Sequence, residues 1–157
     1  MAIDGAFLYC TLKEIRKLVG AHADKIYQPS KDEIIISFRS FGATRKLLIS
    51  ANAVSARIGF TEDNPENPQT PPMFCMLLRK HLNGRLSAVR QDGFERIANL
   101  DFECINEFGD VVTLTLTVEI MGRHSNIILI NENGKVIDAI RRVNEDMSSV
   151  RRILPGI

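Results

Sequence analysis

The stretch VVTLTLTVEIMGRHSNIILIN, residues 111–131, decides how the chain reads. Val112, Leu114, Leu116 and Val118 share one parity, and Thr113, Thr115, Thr117 and Glu119 share the other. Strict alternation of period two is the pattern of a strand with one face on a core. Gly122 interrupts it, NIILI at 126–130 resumes as a second strand, and NENG at 131–134 is a turn signal. In between, Glu119, Arg123, His124 and Ser125 gather a carboxylate, a guanidinium, an imidazole and a hydroxyl around that glycine. A simple connection needs far less polar chemistry.

Outward from this pair the same period recurs. Strands are expected at 86–91, 96–107, 111–121, 126–130 and 136–143, joined by short Gly, Asn and Asp turns. Earlier strands are expected at 24–28, 33–40, 44–50 and 55–60, the middle two forming a hairpin across Phe41-Gly42. Residues 4–19 carry apolar residues at helical spacing, and Thr11 followed by Glu14 reads as a capping box that starts a second helix there. Residues 61–72 hold four prolines and no aliphatic residue, an exposed loop that ends in Pro71-Pro72. A helix over 73–82 follows, closed by Asn83-Gly84, with Arg79, Lys80 and His81 in its last turn where cations suit the macrodipole. Two groups of antiparallel strands separated by a helix give an α+β fold, an antiparallel β-sandwich or partly closed barrel with two or three helices.

Length and composition set the bounds. The 157 residues suffice for one domain with a real core, and 45% hydrophobic with 25% charged residues is ordinary for a globular chain. A net charge of +1 excludes a whole-surface grip on nucleic acid, so any such role needs a local patch. Cys10, Cys75 and Cys104 have no metal-ligand spacing and read as buried small hydrophobes. The N-terminus lacks the charged and apolar regions of a signal peptide, and no apolar run reaches the roughly 18 residues of a membrane helix, so the expected location is cytoplasmic.

Several stretches together carry a resemblance. They are MAIDGAFLYCTLKEIRKLVGAHADKIYQPSKDEIIISFR (1–39), KLLISANAVSARIGFT (46–61), NPENPQTPPMFCMLLRKHLNG (64–84), EIMGRHSNIILIN (119–131) and AIRRV (139–143). The chain resembles the N-terminal domain of the NFACT family, in its bacterial RqcH branch, often labelled fibronectin-binding protein A. The resemblance spans essentially all 157 residues. It implies a fold similar to the N-terminal domain of formamidopyrimidine-DNA glycosylases, and an N-terminal piece of a longer protein. It also implies a role in ribosome-associated quality control: binding an obstructed large ribosomal subunit, recruiting alanine tRNA, and alanine tailing of the stalled chain. Two family motifs map here. The Glu-Ile-Met motif falls on Glu119, Ile120 and Met121, and the Asp-Arg pair falls on Glu95 and Arg96, where glutamate replaces aspartate.

Each mapped residue has a bland role beside the functional one. Glu95 can hold the Arg96 guanidinium in a fork that leaves donors for a phosphate or base edge, or the two form a surface ion pair worth under about 1 kcal/mol. Glu119 falls on the polar parity, so it is expected exposed or lining a groove, while Ile120 faces the core. Met121 is core or a soft contact for a base. Arg123 and His124 are phosphate contacts or solvated turn residues. Arg141-Arg142 and Arg151-Arg152 complete the candidate local patch, or are solvated surface.

No catalytic, cofactor or metal site is expected. The glycosylases use an N-terminal proline as nucleophile, and this chain begins Met1-Ala2-Ile3-Asp4. There is no GxSxG, phosphate-binding loop or HExxH, and His22, His81 and His124 lie far apart. The expected partners are tRNA and the large ribosomal subunit. The alternatives are a fibronectin-binding surface adhesin, for which Leu154-Pro-Gly-Ile157 lacks a sorting continuation, and a glycosylase-like nucleic-acid binder without catalysis.

Overall fold

A computed structural model describes residues 5–91 and 95–142. The described residues form α1 (Gly5–Ile15), a 3-10 turn (Arg16–Leu18), β1 (His22–Ser30), β2 (Glu33–Ser40), β3 (Ala43–Ser50), β4 (Arg57–Thr61) and α2 (Met73–His81). They continue with β5 (Arg85–Arg90), β6 (Ile97–Ile105), β7 (Val111–Glu119), a second 3-10 turn (Gly122–His124), β8 (Asn126–Ile130) and β9 (Val136–Ala139). The α+β class and the antiparallel strands agree with the sequence reading.

The strands hydrogen-bond as one antiparallel sheet of nine in the order β4-β3-β2-β1-β5-β6-β7-β8-β9. The end strands β4 and β9 are not neighbours in it, so the sheet is not closed, where the sequence reading left open a sandwich or a partly closed barrel. Nor are there two separately bonded sheets. The halves join at a thin seam, where His22 pairs Arg85 and the amides of Gly20, Leu86 and Ala23 bond to Leu86, Ala21 and Gly84.

The sheet bends at that seam. Phe38 on β2 and Phe102 on β6 stand three strands apart in the order, which in a flat sheet is roughly 14 Å. Their rings instead stack with centroids 6.1 Å apart. The inner faces of the halves therefore meet, and Ile34, Ile36, Leu47, Ile49, Leu100, Leu114, Leu116, Val118, Ile127 and Leu129 join both rings in one core. Truncating Phe102 to Ala would cost about 3–5 kcal/mol.

Both helices bridge the halves. The buried stripe Leu8, Leu12 and Ile15 lets α1 pack against β4, β5 and β6, while α2 packs against β1 and β9 through Phe74, Cys75 and Leu78. Thr11 does not start a new helix. Its hydroxyl donates to the Phe7 carbonyl at 3.1 Å, the back-bonding of a threonine inside a continuous helix. Cys75 and Cys104 are buried as expected, but Cys10 falls on the exposed face of α1. No helix among the described residues is long and apolar enough to cross a membrane.

Candidate nucleic-acid interface

β6 and β7 pair in register from Ile105↔Val111 to Ile97↔Glu119. The ladder runs one bond further, because the Ile120 amide donates to the Arg96 carbonyl at 2.9 Å. Two sequence motifs more than twenty residues apart thus become adjacent strand ends. Glu95-Arg96 enters β6 beside the point where Ile120-Met121 leaves β7.

The connection after β7 is locked by its own polar groups. Met121 donates its amide to the fully buried Ser125 hydroxyl at 2.9 Å, and the His124 and Ser125 amides bond back to Met121 and Gly122. Gly122 takes φ +57°, where a side chain is strained. Asn126 is buried; its side-chain amide donates to the Arg141 carbonyl at 2.8 Å, and its oxygen accepts from the Arg141 amide at 3.1 Å. The Arg141 guanidinium in turn donates to the Arg123 carbonyl and lies 3.8 Å from Asp32 in the β1–β2 turn. The bend in the sheet therefore braces this turn from the other half.

The placement of the predicted residues is uneven. Glu95, Arg96, Arg123 and His124 are exposed and Met121 is half-buried, all at this one end of β6–β7. Ile120 is buried, as its parity required. Glu119 is not in a groove: it is 3% exposed, in register between Ile97 and Asn126. The polar parity of β7 is open to water at Thr113 and covered at Thr117 and Glu119, so one strand face changes character along its length. Glu95 and Arg96 form none of the ion pairs found among the described residues. Gln91 instead donates to the Glu95 carbonyl and, at 3.1 Å, to the Gly5 carbonyl.

The local basic patch is narrower than expected. Arg142 is spent in a two-pronged pair with Asp138, at 2.9 and 3.3 Å, and Arg141 serves the scaffold. β9 stops at Ala139, so the doublet lies beyond the strand, and Arg151-Arg152 lie outside the described residues. What remains is Arg96, Arg123 and His124 on one ledge. Of the residues that position it, Ser125 and Arg141 stand out in the sequence, as the hydroxyl beside Gly122 and as part of the basic patch, whereas Asn126 does not. A buried-strand start preceded by Ser-Asn was the available signal, since both side chains bond readily to local main chain.

The family described as "NFACT N-terminal and middle domains" matches residues 4–157. The chain is 42% identical to the Rqc2 homolog RqcH of Bacillus subtilis over 159 aligned positions, 99% of this chain and 28% of that protein. It is 31% identical over 96 residues to the ribosome quality control complex subunit NEMF homolog of Drosophila melanogaster, 60% of this chain and 10% of that one. Its fold matches the crystal structure of the N-terminal domain of fibronectin-binding protein PavA from Streptococcus pneumoniae, with TM-score 0.92 and 38% identity over 98% of this chain and 59% of that one. The chain spans less than a third of the length of these curated relatives. By the match across almost its whole length, the chain belongs to the NFACT family.

Proposed function

We propose that this chain is the tRNA-binding part of a ribosome-associated quality-control factor. The observation that carries the reading is the Arg96–Ile120 main-chain bond, which fuses two motifs into one ledge on rigid strand ends. Arg96 and Arg123 offer planar forks suited to phosphates and base edges, and His124 adds a third donor beside them. Half-buried Met121 gives a soft apolar contact for a base. Glu119 acts from inside, as a buried group that shapes the ledge. Glu95 stays exposed beside Arg96, with one methylene more than the family's aspartate.

In the longer protein this ledge would recruit alanine tRNA to an obstructed large ribosomal subunit for alanine tailing, in the cytoplasm. The names of the bacterial and fly relatives support that setting. The role is recognition, not catalysis; likeness to a glycosylase would be a likeness of fold, and fold does not carry activity. A second reading, fibronectin binding, is favoured by the name of the PavA neighbour.

The test captures tRNA from a total pool at two salt concentrations with wild type and with Glu95→Ala/Arg96→Ala, then sequences what is bound. Alanine tRNA enriched by wild type and lost by the variant supports the reading. A folded wild type that captures no tRNA but binds immobilised fibronectin would replace it with the second.

A further inference from the structure

The β2–β3 turn presents an aromatic ring that the fold does not use. Phe41 is 105% exposed and adopts φ +51°, the left-handed region that bulky side chains avoid. Gly42 follows at φ +79°. A two-residue hairpin turn with both central residues left-handed is ordinarily made by Asn-Gly or Asp-Gly. Phenylalanine at the first position strains the turn and buries no surface in return. Strain of this kind, held by two paired eight-residue strands, points outward to a ligand.

The surroundings say which kind. Arg39, cross-strand from Thr44, is exposed, and its side chain makes none of the hydrogen bonds or ion pairs found among the described residues. Arg45 is cross-strand from Phe38 and so leaves the opposite face of the hairpin from Arg39, with its guanidinium carbon 3.6 Å from the centroid of the Phe60 ring. The residues next to Phe41 in the chain are Ser40, Gly42, Ala43 and Thr44, none of them a large apolar residue that would extend the ring into the kind of surface a protein interface uses. One rigid aromatic between two arginines instead matches the stacking platforms that grip unpaired nucleic acid.

We propose that the β2–β3 turn is a separate contact for single-stranded RNA. Phe41 stacks on one unpaired base, and Arg39 and Arg45 take the phosphates on either side. The choice of RNA among polyanions rests on the function proposed above; the position does not. Asp32, at the far end of β2, meets Arg141 beside the tRNA ledge, so Phe41 lies on the order of 25 Å away along the strand.

The test uses the full chain with a 12-nucleotide unpaired RNA carrying 2-aminopurine, and the same RNA as a duplex. Wild type is expected to quench the fluorescence of the unpaired form and to prefer it over the duplex. Phe41→Tyr keeps the quenching, whereas Phe41→Leu and Phe41→Asn weaken binding roughly tenfold. Phe41→Asn also raises Tm by about 2–4 °C, because it relieves the turn. Arg39→Gln lowers the salt slope by about 1. Arg96→Ala leaves the quenching intact, so loss of tRNA capture by that variant and loss of stacking by the Phe41 variants are read independently. Undiminished binding by Phe41→Leu, or a fall in Tm for Phe41→Asn, would overturn the proposal: the first removes stacking, the second makes the ring structural.

Discussion

The Ile120 amide donates to the Arg96 carbonyl at 2.9 Å, and this bond decides which residues of the chain can act together. It extends the β6–β7 ladder past Ile97↔Glu119, so the Arg96 side chain is anchored by its own main chain. Its guanidinium is presented from a fixed base, not from a loose loop. Arg96→Ala is expected to weaken tRNA binding by about 1–3 kcal/mol and to lower the salt slope by about 1. Arg96→Lys should restore the slope but not the affinity, since an ammonium keeps the charge and loses the fork. Titration at several salt concentrations checks both. Equal affinities for the lysine variant and wild type would reduce Arg96 to a point charge.

Ser125 bears on the same ledge from beneath. Its hydroxyl is fully buried and accepts the Met121 amide at 2.9 Å, so removing it leaves a main-chain donor unsatisfied. Ser125→Ala should cost about 1–3 kcal/mol of stability. It should also weaken tRNA binding more than any other buried substitution of similar cost, because the 3-10 turn carries Arg123 and His124. Ser125→Thr keeps the hydroxyl, so it should retain more of the stability and of the tRNA binding than Ser125→Ala. Urea midpoints beside tRNA affinities for this set separate positioning from mere loss of fold.

The contrast between Thr113 and Glu119 shows what was legible and what was not. Period two along β7 correctly assigned Leu114, Leu116 and Val118 to the core. It wrongly placed Glu119 on the surface or in a groove, because parity gives the face but not what covers that face along the strand. Thr11 misled in the same local way: Thr-x-x-Glu reads as a cap until the Leu8, Leu12 and Ile15 stripe carries the helix through it. The turns and the order of elements were readable because glycine, proline and asparagine act locally. The bend at the β1–β5 seam was not, since the three main-chain bonds there and the Phe38–Phe102 stack are long-range facts. The Arg141 contact to Asp32, which braces the ledge, depends on that bend.

Asp101 gives the fold a pH dependence. On the outer face of β6 it accepts from Arg90 at 2.6 and 2.9 Å and from the Thr115 hydroxyl at 2.7 Å. Burial pushes the carboxyl up, but the hydrogen bonds from Arg90 and Thr115 and the Arg90 charge outweigh it, holding it below its ordinary value. A carboxylate lowered on folding stabilises fully above its unfolded pKa, near about 3.9, and the contribution fades as pH falls through the folded value. Asp101→Asn should therefore be less stable than wild type by about 1 kcal/mol at pH 7, since half-exposed Arg90 is screened by water. The gap should narrow as pH falls below about 3.9 and close only once pH is below the folded value. Urea midpoints at pH 7, 5 and a series below 4 test it; a gap that does not narrow at all across that series would mean the asparagine acts through packing.

The seam itself rests on one glycine. Gly84 opens β5, its carbonyl accepts the Ala23 amide at 3.0 Å, and it therefore joins the two halves. A Cβ added there would stand 1.7 Å from the Glu103 carbonyl oxygen and 2.7 Å from its carbon. Both are main-chain atoms of β6 and cannot swing aside as a side chain would. Gly84→Ala must push β5 off β6 or open the β1–β5 pairing, and either movement separates Phe38 from Phe102. The expected cost is about 3 kcal/mol or more, the upper range for overpacking. Gly59 is the control: it lies inside β4, nothing stands within 4 Å of its added Cβ, and Gly59→Ala should be neutral or stabilising by a few tenths of a kcal/mol. Thermal unfolding of the two alanine variants compares them directly. A Gly84→Ala protein as stable as Gly59→Ala would mean the seam can widen freely, and the bend would then owe its position to the core alone.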